Sequence, residues 1–323
     1  MTNWNALYDR LRAEAPALEL RRDEPMSRHT SFRVGGPVPL MALPKNENEV
    51  ERILSAAALE FGVRPFFMGK GSNLLVSDEG ADLLVMKADG LNRLELLVAG
   101  ERPGCRTILA GSGVTLARLA NFALEHGLTG LEFAHGIPGS VGGGVYMNAG
   151  AYGGEMKQVV SSVVSTEVPP KFFSREDTAP QFSYRHSVYQ ERDEFILRAG
   201  FSLKLGDPVE IKAKMDDLAA RRLEKQPLEY PSAGSTFKRP APVEGQPVYA
   251  AALIDQCGLK GMRVGGAQVS EKHAGFVVNT GGATCKDIIE LMAQVRERVF
   301  KETGVTLEPE VRYLGMEGDQ WNF

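Results

Sequence analysis

The sequence predicts an α+β fold, and three observations support this. Roughly the first 205 residues mix short apolar runs, typical of strands, with only a few amphipathic helices. The runs and helices do not alternate regularly, which argues against a repeating βαβ array. From residue 207 the composition shifts to a charged helical segment, which indicates that a new domain begins there.

Composition and charge are those of an ordinary soluble protein. Apolar residues make up 43% and charged residues 24% of 323 residues, a length that predicts two or three domains. The net charge of −4 gives no support for a nucleic-acid partner. The chain has no run of 18 apolar residues and no apolar core of a secretory signal near its start. We therefore expect a cytoplasmic protein without a membrane span.

The spacing of cysteine and histidine predicts neither a disulfide framework nor a metal site. Cys105, Cys257 and Cys285 are odd in number and widely spaced, and they match no zinc pattern. The five histidines contain no i, i+4 pair. We therefore expect free thiols in a reducing compartment and no bound metal.

The N-terminal part combines two helices with loops and a short strand. Residues 4–14 have the pattern of an amphipathic helix, and 28–44 that of a loop whose Gly-Gly pair leads into a strand. A helix over about 48–61 has one apolar face, and Asn48 followed by Glu51 matches a capping box at its start.

Short strands and one helix follow. The chain is expected to run as a strand to Met68, to turn tightly through 69–73, and to return as apolar chain. Strands are predicted at 83–87 and 107–111, and a helix over about 116–126 ends before a glycine.

Two further strands flank a segment that contains three prolines. β-branched residues predict a strand at 159–166, and apolar residues predict another at 195–205. Between them, 168–180 is interpreted as an irregular connector, which leads into FSYRHSVYQ at 182–190.

The segment 207–230 is predicted to be a charged helix. Ile211, Met215, Leu218 and Arg222 recur there at helical spacing, and Pro227 ends the run. A loop at 230–240 follows, with serines and a threonine beside two basic residues.

The C-terminal part is predicted to contain two helices and a closing strand. A helix at about 248–257 precedes one over 285–302, whose start carries the capping pair Thr284 and Asp287. The strand at 307–315 would carry Glu308 and Glu310 on one face, because they are two residues apart.

The stretch at 136–155, GIPGSVGGGVYMNAGAYGGE, is the most unusual part of the chain, with eight glycines up to residue 154. Glycine costs about 1 kcal/mol per helical position relative to alanine, so we do not expect a core helix here. Bare backbone N–H groups can line an anion site, which predicts a ligand cradle. A flexible linker is the alternative, but interleaved apolar residues such as Val141, Tyr146 and Met147 indicate a packed loop.

The loop GKGSN at 69–73 is a second candidate for phosphate binding. It lacks the spacing of a P-loop, and a plain hairpin turn is an equal alternative. Together with 136–155, however, it predicts that two glycine loops hold the two phosphates of one dinucleotide.

Seven motifs, in this order, resemble one enzyme family. They are HTSFRVGG, GKGSNLLV, GIPGSVGGGVYMNAGAYGGE, FSYRHS, AGSTFKRP, VSEKHAGFVVN and LEPEVR. The set resembles UDP-N-acetylenolpyruvoylglucosamine reductase, the family that makes UDP-N-acetylmuramate for bacterial peptidoglycan. The resemblance covers about residues 25–315.

The resemblance implies a fold and a cofactor. The fold has two lobes of the vanillyl-alcohol-oxidase-like FAD-binding type, here 1–86 and 87–206, and a C-terminal α+β substrate-binding domain, 207–323. FAD would be bound without a covalent link, its pyrophosphate on the two glycine loops. The residues implied to bind it are Gly69, Lys70, Gly71, Ser72, Asn73, Gly136, Ile137, Pro138, Gly139, Ser140 and Gly142.

The resemblance also implies a reaction. NADPH reduces FAD, a hydride then passes to C3 of the enolpyruvyl group, and an acid delivers a proton to C2. The family's acid corresponds to Ser235, its carboxylate-binding arginine to Arg185, and its glutamate to Glu310. Substrate contacts are implied for a further set: Tyr184, Lys238 and Arg239.

Each of these residues also has a plainer interpretation. Without the family, Ser235 is a turn or cap residue, and Arg185 a surface ion-pair partner. Glu308 is the alternative to Glu310. Lys272 and His273 are left unassigned, as surface charge.

The spacing of the motifs indicates a subtype. Ser235 follows Arg185 by only 50 residues, which is too short for the insertion that carries a substrate-closing tyrosine in some members. The chain therefore resembles the second type, without that loop. The irregular connector before Arg185 is a departure from the family's strand pair at this place.

Two alternative functions stay open from the sequence. One is another FAD-dependent oxidase of alcohols or sugars, for which His135 beside the glycine run would be a covalent flavin ligand. The other is a non-catalytic sugar-nucleotide sensor. For the reductase, the expected partners are small molecules, the UDP-sugar enolpyruvyl ether and NADPH. We also predict that the protein is a monomer.

Overall fold

The computed structural model describes residues 2–97, 104–176, 180–192, 194–242 and 245–316. The chain forms two compact units. The first unit comprises Met1–Arg22, Leu40–Lys70 and Leu83–Arg222, and the second comprises Asp23–Pro39, Gly71–Asp82 and Leu223–Phe323. Both units are therefore discontinuous in sequence.

Among the described residues, the helices are α1 (Trp4–Glu14), α2 (Glu47–Ser55), α3 (Leu116–Glu125), α4 (Val141–Tyr146), α5 (Val188–Arg192), α6 (Pro208–Lys225), α7 (Ala250–Gln256) and α8 (Cys285–Thr303).

The strands of the same residues fall into an N-terminal and a C-terminal group. The first are β1 (Glu19–Pro25), β2 (Pro37–Leu43), β3 (Phe66–Met68), β4 (Leu74–Val76), β5 (Leu84–Lys87), β6 (Leu94–Leu97), β7 (Cys105–Gly111) and β8 (Leu128–Thr129). The second are β9 (Gly150–Ala151), β10 (Gly154–Glu155), β11 (Val160–Thr166), β12 (Phe172–Glu176), β13 (Phe195–Leu205), β14 (Arg263–Val264), β15 (Ala267–Val269), β16 (Val277–Asn279) and β17 (Arg312–Leu314).

Among its described residues, the first unit contains two larger sheets, each with its own core, and the short antiparallel pair of β9 and β10. One sheet has the order β1-β2-β5-β3, with β5 parallel to both β2 and β3. Side chains of α1 and α2, such as Leu7 and Ile53, form its core. The other sheet has the order β12-β11-β13-β7-β6 with antiparallel pairs, and β8 also pairs with β13. Side chains of α3, α4 and α6 pack in the core of this sheet.

The second unit is built around helix α8. Strands β14, β15 and β16 form an antiparallel sheet, while β17 pairs in parallel with β4. The buried face of α8, including Ile288, Leu291 and Val295, joins the core of this unit. Both predicted capping residues are confirmed, because Thr284 and Asp287 form a capping box.

The predicted cap of the second helix was two residues out of place. The N-cap of α2 is Asn46, whose side chain accepts the backbone N–H of Glu49. Asn48 lies inside the first turn instead. The same residue types, Asn and Glu three apart, occur in both frames, so local sequence did not separate them.

The prediction of an irregular connector at 168–180 was wrong. Strand β12 lies within it and pairs with β11 in antiparallel register, from Thr166 opposite Phe172 to Ser162 opposite Glu176. The prolines that suggested irregularity lie outside β12, and Pro169 follows a cis peptide bond in the turn between the two strands.

The expectation that the glycine stretch holds no core helix was also wrong. Helix α4 lies inside it, with Gly144 and Val145 buried. Close packing explains the glycines, since a Cβ on Gly144 would lie 3.2 Å from Leu116 Cδ2. The cost of glycine in a helix is offset here by an approach that a larger residue does not permit.

The predicted strand at 307–315 is shorter than expected. Only Arg312–Leu314 forms β17, so the expectation that Glu308 and Glu310 share one face of a strand was wrong. Pro309 instead forms an isolated bridge with Phe237. Because proline has no N–H to donate, a regular ladder cannot pass through this position.

The other predicted strands and helices are present at about the expected places. The predicted division at 86/87 and 206/207 stays a prediction. Within the described ranges, the structure contains no helix that is long and apolar enough to cross a membrane. The same residues contain no group of three or more His, Cys, Asp or Glu side chains that could hold a metal ion.

Candidate active site

Two glycines of the first unit allow unusually close backbone contacts. A Cβ on Gly142 would lie 2.8 Å from Ser112 Cβ, and a Cβ on Gly69 would lie 2.6 Å from Ser140 Oγ. Gly142 N–H also donates to the carbonyl of Ser112 at 2.9 Å. The two predicted loops therefore meet at Gly69 and Ser140, as a shared phosphate cradle requires.

Buried polar atoms without partners line this contact. Among the residues that the structure describes, the hydroxyls of Ser112 and Ser140 have no hydrogen-bond partner, although each residue is 1% exposed. A buried hydroxyl without a partner costs about 1–3 kcal/mol, so such atoms commonly mark a ligand. Two free hydroxyls beside bare glycine backbone suit the oxygens of a pyrophosphate.

The charge of Lys70 is already compensated. Its Nζ lies 3.0 Å from Asp89 Oδ1, and Lys87 Nζ lies 3.0 Å from Asp89 Oδ2. Burial opposes ionisation of Asp89, but hydrogen bonds and charge from the two lysines outweigh it and lower the pKa of this carboxyl. Lys70 therefore fixes its loop rather than offering a free cation.

The rest of this loop belongs to the second unit. The carbonyl of Gly71 accepts the N–H of Ser31 at 3.2 Å, and the side chain of Asn73 donates to the carbonyl of Glu310 at 3.0 Å. Asn73 thus ties the loop to the segment that carries a predicted catalytic residue. Ser72 is half-buried.

Arg222, which the sequence did not single out, lies against the glycine stretch. Its side chain covers Gly136, where a Cβ would lie 3.1 Å from Arg222 Cδ. Burial lowers the pKa of this guanidinium, and interaction with Tyr152 only partly opposes that. Among the described residues no carboxylate pairs with it. A half-buried cation on the glycine stretch is suited to an anionic ligand, and its place in an apolar stripe was the available signal.

Gly142→Ala is expected to weaken FAD retention at least tenfold and to lower the unfolding temperature. The added methyl group would have to displace Ser112, and overpacking of this kind costs about 1–3 kcal/mol. Gly143→Ala is the matched control, because its Cβ would meet only Ser140 Oγ at 3.8 Å. Flavin content after dialysis and the thermal midpoint are measured for both. Equal behaviour of the two variants would contradict the cradle.

Arg185 lies at the tip of a two-residue turn in the first unit. Ser183 and His186 exchange backbone hydrogen bonds at 3.1 and 3.2 Å, which leaves Tyr184 and Arg185 at the tip. Arg185 has a φ of +54°, a strained value for a residue with a side chain. Its guanidinium lies 5.4 Å from the centre of the Tyr184 ring, and Tyr184 is 54% exposed.

Three residues that the sequence analysis did not assign hold this turn. The side chain of Asn148 donates to the carbonyl of Ser183 at 2.9 Å, and that of Gln190 donates to the carbonyl of Arg185 at 2.9 Å. Ser187 Oγ donates to the carbonyl of Tyr146 at the end of α4. The glycine stretch therefore also positions Arg185. Asn148 has a φ of +43°, which asparagine tolerates better than most residues.

In the second unit, Ser235 is exposed between anchored neighbours. Ala233 is 5% exposed and Thr236 is 1% exposed. Thr236 N–H donates to the carbonyl of Gly275 at 2.8 Å, and Thr236 Oγ1 accepts the N–H of Val277 at 2.9 Å. The hydroxyl of Ser235 is thus presented outward by a backbone that cannot move freely.

Glu310 is linked to the same segment, and Glu308 is not equivalent to it. Glu310 N–H donates to the carbonyl of Thr236 at 2.8 Å, and Glu310 is half-buried. The side chain of Glu308 is 70% exposed and lies 3.3 Å from Lys238 Nζ. Arg239 lies over the ring of Tyr249 at 4.9 Å. The structure therefore bonds the backbone of Glu310 to Thr236, the residue after Ser235, while the side chain of Glu308 pairs with a cation.

Comparisons with known proteins relate this chain to one family. Residues 38–168 match the family model described as FAD binding domain. Residues 226–314 match the model described as UDP-N-acetylenolpyruvoylglucosamine reductase, C-terminal domain. A protein of Caldanaerobacter subterraneus subsp. tengcongensis, named UDP-N-acetylenolpyruvoylglucosamine reductase, is 45% identical over 96% of this chain and 98% of its own length. The chain belongs to this reductase family.

Two further members of the UDP-N-acetylenolpyruvoylglucosamine reductase family support the assignment. The protein of that name from Syntrophomonas wolfei is 42% identical over 96% of this chain and 100% of its own. The crystal structure of the enzyme from Thermus caldophilus matches with a TM-score of 0.75 and 33% identity, over 92% of this chain and 98% of that chain. These matches confirm the predicted fold class, the FAD cofactor and the assignment as an FAD-dependent oxidoreductase.

Proposed function

We propose that the chain reduces the enolpyruvyl group of UDP-N-acetylglucosamine enolpyruvate to UDP-N-acetylmuramate, with NADPH as electron donor. The observation that supports this proposal is that exposed Ser235 and half-buried Glu310 are each joined to the anchored Thr236. Thr236 follows the exposed serine in the chain, and its carbonyl accepts the N–H of Glu310. A proton donor and a carboxylate held on one rigid backbone suit a reaction in which an acid must reach a carbanion centre.

The residues of the cradle fit FAD. The glycine backbone, the hydroxyls of Ser112 and Ser140 and the guanidinium of Arg222 would hold its anionic and polar parts. When bound, FAD supplies hydride transfer from NADPH to C3 of the enolpyruvyl group. All other steps fall to side chains of this chain.

Ser235 would deliver the proton to C2. Hydride addition at C3 leaves an electron pair at C2 that is shared with the adjoining carboxylate, and the Oγ–H bond of Ser235 breaks as the C2–H bond forms. A serine hydroxyl is a weak acid, so it can act only towards a strongly basic carbon at short range and in a defined direction. The anchored neighbours of Ser235 supply that direction.

Arg185 would bind the substrate carboxylate. A guanidinium offers two parallel N–H donors to a carboxylate and gains strength as negative charge builds there. The side chains of Asn148 and Gln190 hold the backbone of the turn at 183–186, and the guanidinium donates to the carbonyl of Gly150 at 3.4 Å. Tyr184, at the same tip, is exposed and available to the substrate.

Glu310 would orient the proton donor or restore its proton. Of the two candidate carboxylates, Glu310 is favoured because its amide is bonded to Thr236, next to Ser235. Lys238 pairs with Glu308 at the surface, and Arg239 is exposed nearby, so both cations are candidates for the diphosphate of the substrate.

The test separates the two half-reactions. NADPH is added to the purified protein without oxygen, and the enolpyruvyl substrate is added afterwards while flavin absorbance is followed. Loss of absorbance with NADPH and recovery with the substrate are expected. Loss without recovery would favour the oxidase with another substrate, and a protein without flavin absorbance would favour the sensor.

Asn148→Gly is expected to raise the concentration of enolpyruvyl substrate needed for half-maximal flavin recovery by about three- to tenfold. Glycine accepts the φ of +43° without strain, so this variant removes the side-chain hydrogen bond to Ser183 in the Arg185 turn, together with those to Glu155 and Lys157. Reduction by NADPH should stay unchanged. Asn148→Asp is the companion variant, which keeps the acceptor for Lys157 N–H but loses the donor to Ser183. Unchanged substrate saturation in both variants would refute the positioning role.

A further inference from the structure

His273 lies in a closed turn of the second unit. Ser270 N–H donates to the carbonyl of Phe276 at 2.9 Å, and Phe276 N–H donates to the carbonyl of His273 at 3.0 Å. Ser270 Oγ accepts the N–H of His273 at 3.2 Å. The imidazole packs edge-on against the ring of Phe276, with 4.9 Å between the ring centres. The ring is therefore held in one orientation.

One ring nitrogen of His273 has a role that fixes its protonation. Gly275 N–H points at His273 Nδ1 at 3.1 Å. A backbone N–H can only donate, so Nδ1 must accept and carries no proton. The imidazole in this structure is thus neutral, with its proton on Nε2.

A short series of bonds joins this nitrogen to the proposed acid. Gly275 donates to His273 through its N–H and accepts from Thr236 through its carbonyl at 2.8 Å. Thr236 directly follows Ser235 in the chain and also accepts the N–H of Glu310. Gly275 therefore lies between the imidazole and the segment that carries the two residues assigned to proton delivery, with its N–H in the peptide to Ala274 and its carbonyl in the peptide to Phe276.

There is no spare room at Gly275 for this peptide to shift. A Cβ there would lie 3.1 Å from Ala251 Cβ of α7 and 3.1 Å from His273 Cε1. The peptide that bonds to Nδ1 and the peptide that bonds to Thr236 meet at the Cα of Gly275, in this packed neighbourhood. This atom joins the imidazole to Thr236 and so to the residue before it, Ser235.

The charges around His273 disfavour its protonation. Burial is the main cause that lowers the pKa of this imidazole, a hydrogen bond with the backbone of His273 opposes it, and the positive charge of Lys260 adds to the lowering. Lys260 is itself paired with Asp255, at the end of α7, at 2.8 Å. Glu271 and Lys272, both exposed, directly precede His273 in the chain. The side chain of Lys272 donates to the carbonyl of Leu223.

We propose that neutral His273 is a positioning residue for the proton donor, Ser235. It would hold the segment of Ser235 in place through Gly275 and Thr236, and its protonation would release that segment. Protonation would convert Nδ1 from an acceptor into a donor facing a donor, so the bond to Gly275 would be lost. The inference rests on the proposed role of Ser235. It concerns only the step in which the substrate is protonated, and reduction by NADPH should not depend on His273.

Two substitutions separate the acceptor from the titration. His273→Asn can place a carbonyl oxygen where Nδ1 lies, so it keeps the acceptor but cannot titrate. His273→Leu fills the same space with an apolar side chain and removes the acceptor. Flavin recovery on addition of the enolpyruvyl substrate is followed for each variant between pH 5 and 8, after reduction by NADPH without oxygen.

The wild type is expected to lose recovery rate as pH falls below the ordinary histidine value of 6.5. His273→Asn should keep the wild-type recovery rate at neutral pH within about threefold, and its rate should not fall at acidic pH. His273→Leu should be slowed by about ten- to a hundredfold at every pH, as expected for a misplaced catalytic group. An acid limb that persists in His273→Asn, or a wild-type rate in His273→Leu, would overturn the proposal.

A readout independent of turnover completes the test. In ¹⁵N-histidine NMR, the signal that is absent from His273→Asn should show a proton on Nε2 only, and it should titrate below 6.5. A proton on Nδ1 would refute the inference directly. Ser235→Ala is carried in parallel, because normal recovery in that variant would refute the assignment of the acid and would be distinct from a failure of the His273 variants.

Discussion

Ser235→Ala is expected to slow flavin recovery by the enolpyruvyl substrate by about 10²–10⁴-fold and to leave flavin reduction by NADPH unchanged. This range is that of a lost general acid. The serine is exposed between residues that are buried and hydrogen-bonded, so removal of one hydroxyl should not disturb the backbone. The loss should therefore fall on the protonation of C2 alone.

Stopped-flow absorbance of the flavin measures both half-reactions in one sample. Ser232→Ala is the matched control, because it makes the same change three residues away in the same loop. Its recovery rate should equal that of the wild type. If Ser235→Ala recovers at the wild-type rate, another group supplies the proton and the assignment fails. If both variants are slow, the loop rather than the hydroxyl is responsible.

Glu194→Gln is expected to destabilise the first unit by about 3–5 kcal/mol, the usual cost of a broken buried ion pair. Both carboxylate oxygens of Glu194 accept from Arg175, at 2.5 and 2.6 Å, and Glu194 is 3% exposed. Ser165 Oγ also donates to this carboxylate at 2.6 Å. Glutamine has the same size but removes the charge, so the guanidinium of Arg175 would remain buried without a counter-ion.

The consequence should extend towards the Arg185 turn. The guanidinium of Arg175 lies 5.6 Å from the centre of the Tyr189 ring, and Tyr189 belongs to α5, which follows that turn. Burial raises the pKa of Tyr189 to about 12, so its hydroxyl stays protonated at neutral pH. We expect weaker substrate binding in addition to lower stability.

Urea unfolding followed by circular dichroism measures the change. Asp216→Asn provides the control, because Asp216 pairs with Lys212 on the exposed face of α6 and such pairs contribute about 0.5 kcal/mol or less. A Glu194→Gln protein that unfolds at the wild-type urea concentration would show that the buried pair does not stabilise the fold.

Much of the fold was predictable because its patterns are local. Helix α8 combines an apolar stripe with a capping box, and both signals lie within 19 residues. Asn46, by contrast, competed with Asn48 for the cap of α2, and only tertiary packing decides between two such frames. Strand β12 was not predicted because nearby prolines suggest a break, although Pro169 and Pro170 lie in the turn before it and Pro180 lies beyond it.

The candidate site was predictable only where a motif carried it. Ser235 and Arg185 came from motif order, and their assignment remains a proposal. Asn148 and His273 act through bonds to residues far away in the sequence or through a backbone conformation, so no pattern of residue types reveals them. Arg222 left a trace, since a charged residue in an apolar stripe indicates an unusual partner.

The discontinuity of the second unit constrains how the chain can fold as it is synthesised. Asn73 bonds to Glu310, 237 residues away, and β4 pairs with β17 from the end of the described chain. The backbone N–H groups of Cys285 and Lys286 at the start of α8 donate to Asp78. During translation, the N-terminal segments of this unit must therefore wait for almost the whole chain to leave the ribosome. A fragment that begins at Leu223 would lack β4, the partner of β17, and the carboxylate of Asp78 at the start of α8, so we expect it to aggregate rather than fold.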